Sequence, residues 1–210
     1  MEFATVTPKI DKYIDGLLIE KDPVLREMHK LGTQRDFPIV GPQVGRMLYI
    51  LAKLVGAKRI FEMGSGFGYS AFWFAKAMPA GGKVYQTEGS EKNSKQAQDF
   101  FSRAGLSKKS EFLVGDALEL IDRVKGTFDI VFIDMDKESY PAAFKKAKKR
   151  IRKGGLILAD NVLWFGKVME KFPDAQTQGI LEFTRLLFND PEFFSTIFPI
   201  RDGVAVGYKQ

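Results

Sequence analysis

From residue 59 onward the chain alternates short apolar runs with amphipathic ones, and few folds accommodate that alternation. RIFEMG (59–64), KVYQTE (83–88), SEFLVG (110–115), FDIVFID (128–134) and LILADN (156–161) read as strands. The segments 69–78, 90–104, 117–124 and 138–152 between them read as helices. FDIVFID is apolar almost throughout, which suits the buried centre of a parallel sheet. A last helix over 177–189 precedes FFSTIFPI and VAVGYK, two strands joined antiparallel through the turn Arg201-Asp202-Gly203. Repeated βα units imply a doubly wound, Rossmann-like α/β sheet, with ligands beyond the C-terminal ends of its strands.

Upstream, residues 8–33 read as two short helices and 43–55 as a third. One domain of 210 residues is therefore expected, with a helical extension over 1–56 and a Rossmann-like core over 57–210. The chain has no cysteine and one histidine, His29. Disulfides, thiolate metal sites, cysteine nucleophiles and sites built on two imidazoles are thereby excluded. No run of about 18 apolar residues and no signal segment occurs, so a cytoplasmic, membrane-free location is expected.

Five strand ends carry candidate ligand groups. The first strand runs into Glu62-Met63-Gly64-Ser65-Gly66-Phe67-Gly68, whose glycines permit a tight turn and close backbone approach to a ligand. The spacing is GxGxG, not the GxGxxG of a dinucleotide fingerprint. Glu88 ends the second strand, where a carboxylate can accept both ribose hydroxyls. Asp116, in Gly115-Asp116-Ala117, ends the third and can face an adenine edge. Each acid taken singly also suits a solvated turn or a helix cap; together, in order, they describe a nucleoside site. The fourth strand ends in Asp134-Met135-Asp136-Lys137 with Tyr140 beyond, and the fifth in Asp160-Asn161-Val162-Leu163-Trp164. If these strands are neighbours, Asp134, Asp160 and Asn161 form a hard-oxygen set suited to magnesium or calcium, with Lys137 in the same area.

IFEMGSGFGYSAFWFA, VFIDMDKESY, GGLILADNVLWFGKV and PIRDGVAVGYK resemble the cation-dependent O-methyltransferases of the caffeoyl-CoA and catechol type, from Gly41 to the C-terminus. The resemblance implies a class I S-adenosylmethionine-dependent fold with seven strands, the last antiparallel. It implies Mg²⁺ on Asp134, Asp160 and Asn161, and Lys137 acting with Asp134 at the acceptor hydroxyl. The cofactor would meet Glu62, Gly64, Ser65, Gly66, Gly68 and Ser70 at the glycine loop. Glu88 would bind its ribose, Gly115, Asp116 and Ala117 would flank its adenine, and Asp134 would approach its methionyl amine. Trp164 and Tyr140 are expected either to wall the acceptor pocket or to pack in the core. The pattern departs at Phe165, at Arg201 and in 41–46, all near the acceptor side. The expected substrate is a small phenol, whose hydroxyl has a pKa near 10 and needs activation.

Rival readings are a tRNA hydroxyuridine O-methyltransferase, an NAD-dependent oxidoreductase and a non-catalytic cofactor-binding protein. The amphipathic N-terminal helices can cover the site or form a homodimer interface. The net charge of +6 bears on the tRNA reading, but seven basic residues sit in KKAKKRIRK (145–153). Without them acids and bases nearly balance. Arg150 lies about 20 Å along a helix from Lys137, so the patch is expected to be remote from the chemistry.

Overall fold

A computed structural model describes residues 6–210; residues 1–5 of the expected extension lie outside the described residues. Three helices come first: α1 (Pro8–Leu17), α2 (Pro23–Gln34) and α3 (Gly41–Leu54). The core then alternates β1 (Arg59–Met63), α4 (Tyr69–Ala77), β2 (Lys83–Glu88), α5 (Glu91–Arg103), β3 (Ser110–Val114), α6 (Ala117–Arg123), β4 (Phe128–Ile133), α7 (Tyr140–Arg150) and β5 (Ile151–Ala159). It closes with α8 (Ala175–Phe188), β6 (Phe193–Phe198) and β7 (Val204–Lys209).

These strands form one seven-stranded sheet in the order β3-β2-β1-β4-β5-β7-β6. Neighbours from β3 to β5 pair in parallel, while β7 is antiparallel to both β5 and β6. Strand order reverses between β1 and β4, and a ligand crevice opens at such a switch point. The alternation of side chains builds two cores. Ile60, Ile130, Phe132, Leu156 and Leu158 pack beneath α2 to α5. Phe61, Val131, Ile133 and Ile157 pack beneath α6 to α8. A central strand buried on both faces cannot alternate with polar residues, which is why FDIVFID is so apolar.

Two sequence-based boundaries change. The helix expected over 138–152 is a 3-10 turn at Lys137–Ser139 followed by α7, ending at Arg150. The fifth strand begins at Ile151 rather than Leu156. Ile151 already pairs with Phe128, and the register shifts before Ile130 pairs with Leu156. Gly154, at φ 76°, takes a backbone turn that a side chain disfavours, and a Cβ on Gly155 would meet the Asp129 carbonyl at 2.7 Å. Two glycines thus hide an irregular strand start that reads as a helix end.

The basic run is therefore split between α7 and β5, and three of its seven charges are ion-paired locally. Lys148 pairs with Asp190 (2.6 Å) and Glu192 (2.7 Å), Arg152 with Asp129 (2.5 Å), and Lys146 with Asp122. Arg150 donates to the carbonyls of Ile121, Val124 and Gly126. Among the described residues no helix is long and apolar enough to cross a membrane.

Candidate active site

The parallel register fixes the site. Met63 pairs with Ile133, and Ile133 with Ala159, so the chains leaving β1, β4 and β5 emerge side by side. Backbone bonds continue the alignment past the strands: Asp134 N–H donates to Met63 O (2.9 Å) and Asp160 N–H to Ile133 O (3.1 Å). A cavity of about 600 Å³ lies over these ends. Gly64, Ser65, Gly66, Ser70, Glu88, Asp134, Lys137, Asp160, Asn161 and Trp164 all line it.

The glycine loop is shaped by close approach. Gly64 has φ 87°, and a Cβ there would overlap the Asp134 carbonyl oxygen. Gly64→Ala is expected to force β1 and β4 apart at their tips, destabilising the fold by about 2–4 kcal/mol. Adenosyl-ligand affinity should fall in the same variant, measured by calorimetry beside thermal unfolding. Beneath the loop, Glu62 is wholly buried; it accepts from Ser65 Oγ at 2.6 Å. Burial pushes its carboxyl up to about 7, against the smaller opposing effect of the Ser65 and Ser70 hydroxyls. Folding therefore retains its proton from the ordinary glutamate range to about 7, and the stability this gives is lost as pH rises through about 7. Glu62→Gln carries no such loss. Variant-minus-parent melting temperature, measured without ligand, should increase by roughly 5 °C between pH 5 and pH 8.

Across the cavity, Glu88 Oε1 is held by Ser90 N–H (2.8 Å) and Asn93 Nδ2 (3.4 Å), which fixes the carboxylate on the wall. Asp160 is only 4% exposed. Its burial and the neighbouring Asp134 carboxylate push its carboxyl up to about 7. Lys137 counters part of this charge: Nζ lies 3.1 Å from Asp134 Oδ1 and 2.9 Å from Tyr140 Oη. The same Nζ lies over the Tyr140 ring (4.9 Å) and the Trp164 ring (5.6 Å), as a cation does.

A profile of the O-methyltransferase family matches residues 18–210. The chain belongs to the S-adenosylmethionine-dependent O-methyltransferase family. A catechol O-methyltransferase of Niastella koreensis is 36% identical over 94% of this chain and 95% of that protein. Caffeoyl-CoA O-methyltransferase 2 of Populus trichocarpa is 30% identical over 87% of this chain and 80% of that protein. Among solved structures, the Bacillus cereus O-methyltransferase in complex with S-adenosylhomocysteine superposes with a TM-score of 0.87. It is 33% identical and covers 96% of this chain and 97% of that one. TomG of Streptomyces achromogenes, in complex with S-adenosylmethionine, gives 0.88 at 29% identity over 96% of each chain.

In this O-methyltransferase several expected residues lie off the cavity wall. Tyr140 is fully buried, its hydroxyl bonded to Asp160 O (2.9 Å) and Lys137 Nζ, so it supports the lysine from below and is not an acceptor wall. Asp116 caps α6, accepting from Leu118 N–H at 2.7 Å, and neither it nor Gly115 nor Ala117 lines the cavity. Glu62 and Gly68 form the floor of the loop rather than its surface. Phe37, Pro38, Ile39 and Val40, between the second and third helices, also line the cavity. Phe37 packs on Phe67 (5.1 Å) and covers Gly66, where a Cβ would meet its ring at 2.7 Å. No periodicity marks such a segment; the paired Pro38 and Pro42 were its one signal of fixed conformation. Met135, Asp136, Phe165 and Gln176 join the lining in the same way.

The donor set fits a hard divalent cation. Two carboxylates lie together in a buried corner with one lysine beside them, and Asn161 adds a neutral oxygen from a left-handed position at φ 57°. Among the described residues no three His, Cys, Asp or Glu side chains gather as a metal site, so any cation here would rest on the two carboxylates together with the Asn161 side chain.

Proposed function

We propose that this enzyme is divalent-cation-dependent and transfers the methyl group of S-adenosylmethionine to one hydroxyl of a small catechol-like or caffeoyl-type phenol. The observation that carries the reading is the meeting of Asp134, Asp160, Asn161 and Lys137 at one end of a cavity whose other end carries Glu88. Asp134, Asp160 and Asn161 would hold a divalent cation such as magnesium, which would supply Lewis acidity to lower the pKa of the phenol hydroxyl. Everything else falls to the protein. Gly64, Ser65, Gly66 and Ser70 seat the methionyl part of the donor, Glu88 accepts the ribose hydroxyls, and Asp134 also meets the methionyl amine. The turn at Gly115-Asp116-Ala117 flanks the adenine; it is tied to β2 by Gly115 N–H donating to Glu88 O (3.0 Å). Lys137 presents its ammonium to the acceptor oxygen and stabilises the phenolate, whose proton has passed to water. The oxygen–carbon bond forms as the sulfonium carbon–sulfur bond breaks, leaving S-adenosylhomocysteine. Holding both reactants in line supplies much of the acceleration.

Trp164 walls the acceptor, and the N-terminal helices close that side. Ile10, Tyr13 and Leu17 of α1 and Ile50 and Leu54 of α3 stay more than half exposed, which supports a homodimer in a cytoplasmic setting. Light scattering of the purified protein checks this: a monomer at micromolar concentration overturns it. The basic run lies on α7 and the start of β5, away from the cavity lining, and part of it is ion-paired locally, which weakens the support for a tRNA acceptor. The deciding experiment offers labelled S-adenosylmethionine and Mg²⁺ with a catechol, caffeoyl-CoA or total tRNA in parallel. Label is expected in a phenol; label in tRNA alone overturns the proposal.

A further inference from the structure

A second cavity of about 480 Å³ adjoins the first and shares Phe37, Pro38, Ile39, Asp160, Asn161 and Phe165 with it. Phe165 therefore stands on the boundary between the two. The segment that carries it is conformationally costly: Asn161, Trp164 and Phe165 all have positive φ (57°, 47° and 53°), and none is glycine. Bulky residues hold such angles only where surrounding structure over-determines them. Here the holding structure is the turn between β6 and β7. Val162 N–H donates to Gly203 O (3.1 Å) and Leu163 N–H to Asp202 O (2.9 Å). Phe165 N–H donates to Asp202 Oδ1 at 2.6 Å. Gly203, itself at φ 82°, lies so near that a Cβ would meet Leu163 Cγ at 2.5 Å.

Asp202 supplies the carboxylate that accepts from Phe165 N–H in this clamp; burial opposes its charged form, while the Lys137 and Arg201 charges and the Asn161 side chain favour it. Its Oδ2 is buried with no hydrogen-bond partner among the described residues. A carboxylate is an expensive group to bury with one oxygen unsatisfied, so it is retained for what the other oxygen does.

We propose that Asp202 is a positioning residue for the acceptor-side wall: through its Oδ1 bond to Phe165 N–H and its backbone bond to Leu163, it fixes Asn161 and Phe165 at the boundary of the two cavities and Trp164 on the wall of the first. The donor half of the site, on the β1 and β2 ends, is independent of it. Asp202 touches no reacting atom in this assignment. Its kinetic consequence rests on the phenol reading above; its structural consequence does not.

The test compares the full-length parent with Asp202→Ala and Asp202→Asn. Asparagine keeps an oxygen acceptor for Phe165 N–H and removes the buried charge, so it should rescue. In Asp202→Ala, amide hydrogen exchange at 162–165 should accelerate roughly tenfold or more. The catechol KM should rise roughly tenfold with a smaller change in kcat, and S-adenosylmethionine affinity by calorimetry should stay within about twofold. Asp202→Asn should return each value to within about threefold of the parent. Parent-like exchange and KM in Asp202→Ala overturn the proposal. Equal losses of donor affinity and catechol KM also overturn it, since they mark general loosening, as does an asparagine variant no better than alanine. A parent that methylates no phenol defeats the phenol reading instead, and exchange at 162–165 with donor affinity still decides whether Asp202 holds the wall.

Discussion

Asp160→Ala is expected to lower kcat/KM by about 10³-fold or more while leaving S-adenosylmethionine affinity within roughly twofold. The argument is positional. Asp160 follows Ala159, the β5 partner of Ile133, so it comes level with Asp134 on the neighbouring chain, and it is 4% exposed. A carboxylate buried beside another carboxylate raises the energy of the fold, so packing does not account for its presence. A divalent cation would. The donor half of the cavity, with Gly64, Gly66 and Glu88, lies on the β1 and β2 ends and does not touch it. Melting temperature should fall by no more than a few degrees, because a charge is removed from an unfavourable corner. Excess EDTA should reproduce the kinetic loss in the parent, and added Mg²⁺ should reverse it. Full activity in EDTA would end the cation reading outright. An alanine variant that loses donor affinity in step with activity would show that Asp160 serves the whole fold.

Lys137→Met is expected to lower kcat by about 10²–10⁴-fold with little change in the catechol KM. Methionine can occupy the slot between the Tyr140 and Trp164 rings with similar length and good aromatic contact. What it cannot supply is the ammonium that the proposed mechanism presents to the acceptor oxygen. Asp134 and the Tyr140 hydroxyl each lose a partner, so stability should drop by about 1–3 kcal/mol. Arginine should not rescue, since its planar guanidinium does not fit a slot shaped around one nitrogen. Single-turnover rates with saturating acceptor separate the cases. A variant with parent-like kcat and raised KM would make Lys137 a binding residue, not a participant in transfer.

The sequence-predicted residues that line the cavity share one property: their positions follow from strand register. Gly64, Glu88, Asp134 and Asp160 each close a strand, and parallel pairing brings strand ends together whatever the loops do. Tyr140 shows where that reasoning stops. It sits three residues beyond Lys137, a spacing that suits a pocket wall and a buried support equally well. The 3-10 turn at Lys137–Ser139 sets the choice by sending the ring down onto Phe183, at 5.5 Å. Asp116 shows the same limit from another side. A carboxylate has two oxygens, and here Oδ1 caps α6 by accepting from Leu118 N–H, a role the sequence pattern alone did not separate from facing a ligand.

The early start of β5 was illegible because Arg152, Lys153, Gly154 and Gly155 lack any strand periodicity. The strand forms there through pairing of Ile151 with Phe128, a contact between residues far apart in the chain. Phe37 to Val40 were illegible for a similar reason. Their role depends on where α2 and α3 dock, and docking depends on which apolar faces meet.

The sequence by itself determined the doubly wound sheet, the family and the order of groups along the strand ends, because period-2 and period-3.6 patterns are local and register carries them across the sheet. Tertiary structure alone decided which of those groups face the cavity, how the basic run is paired, and how Asp202 on one turn restrains Phe165 on another. Those outcomes depend on contacts between segments distant in the chain, and no local pattern encodes them.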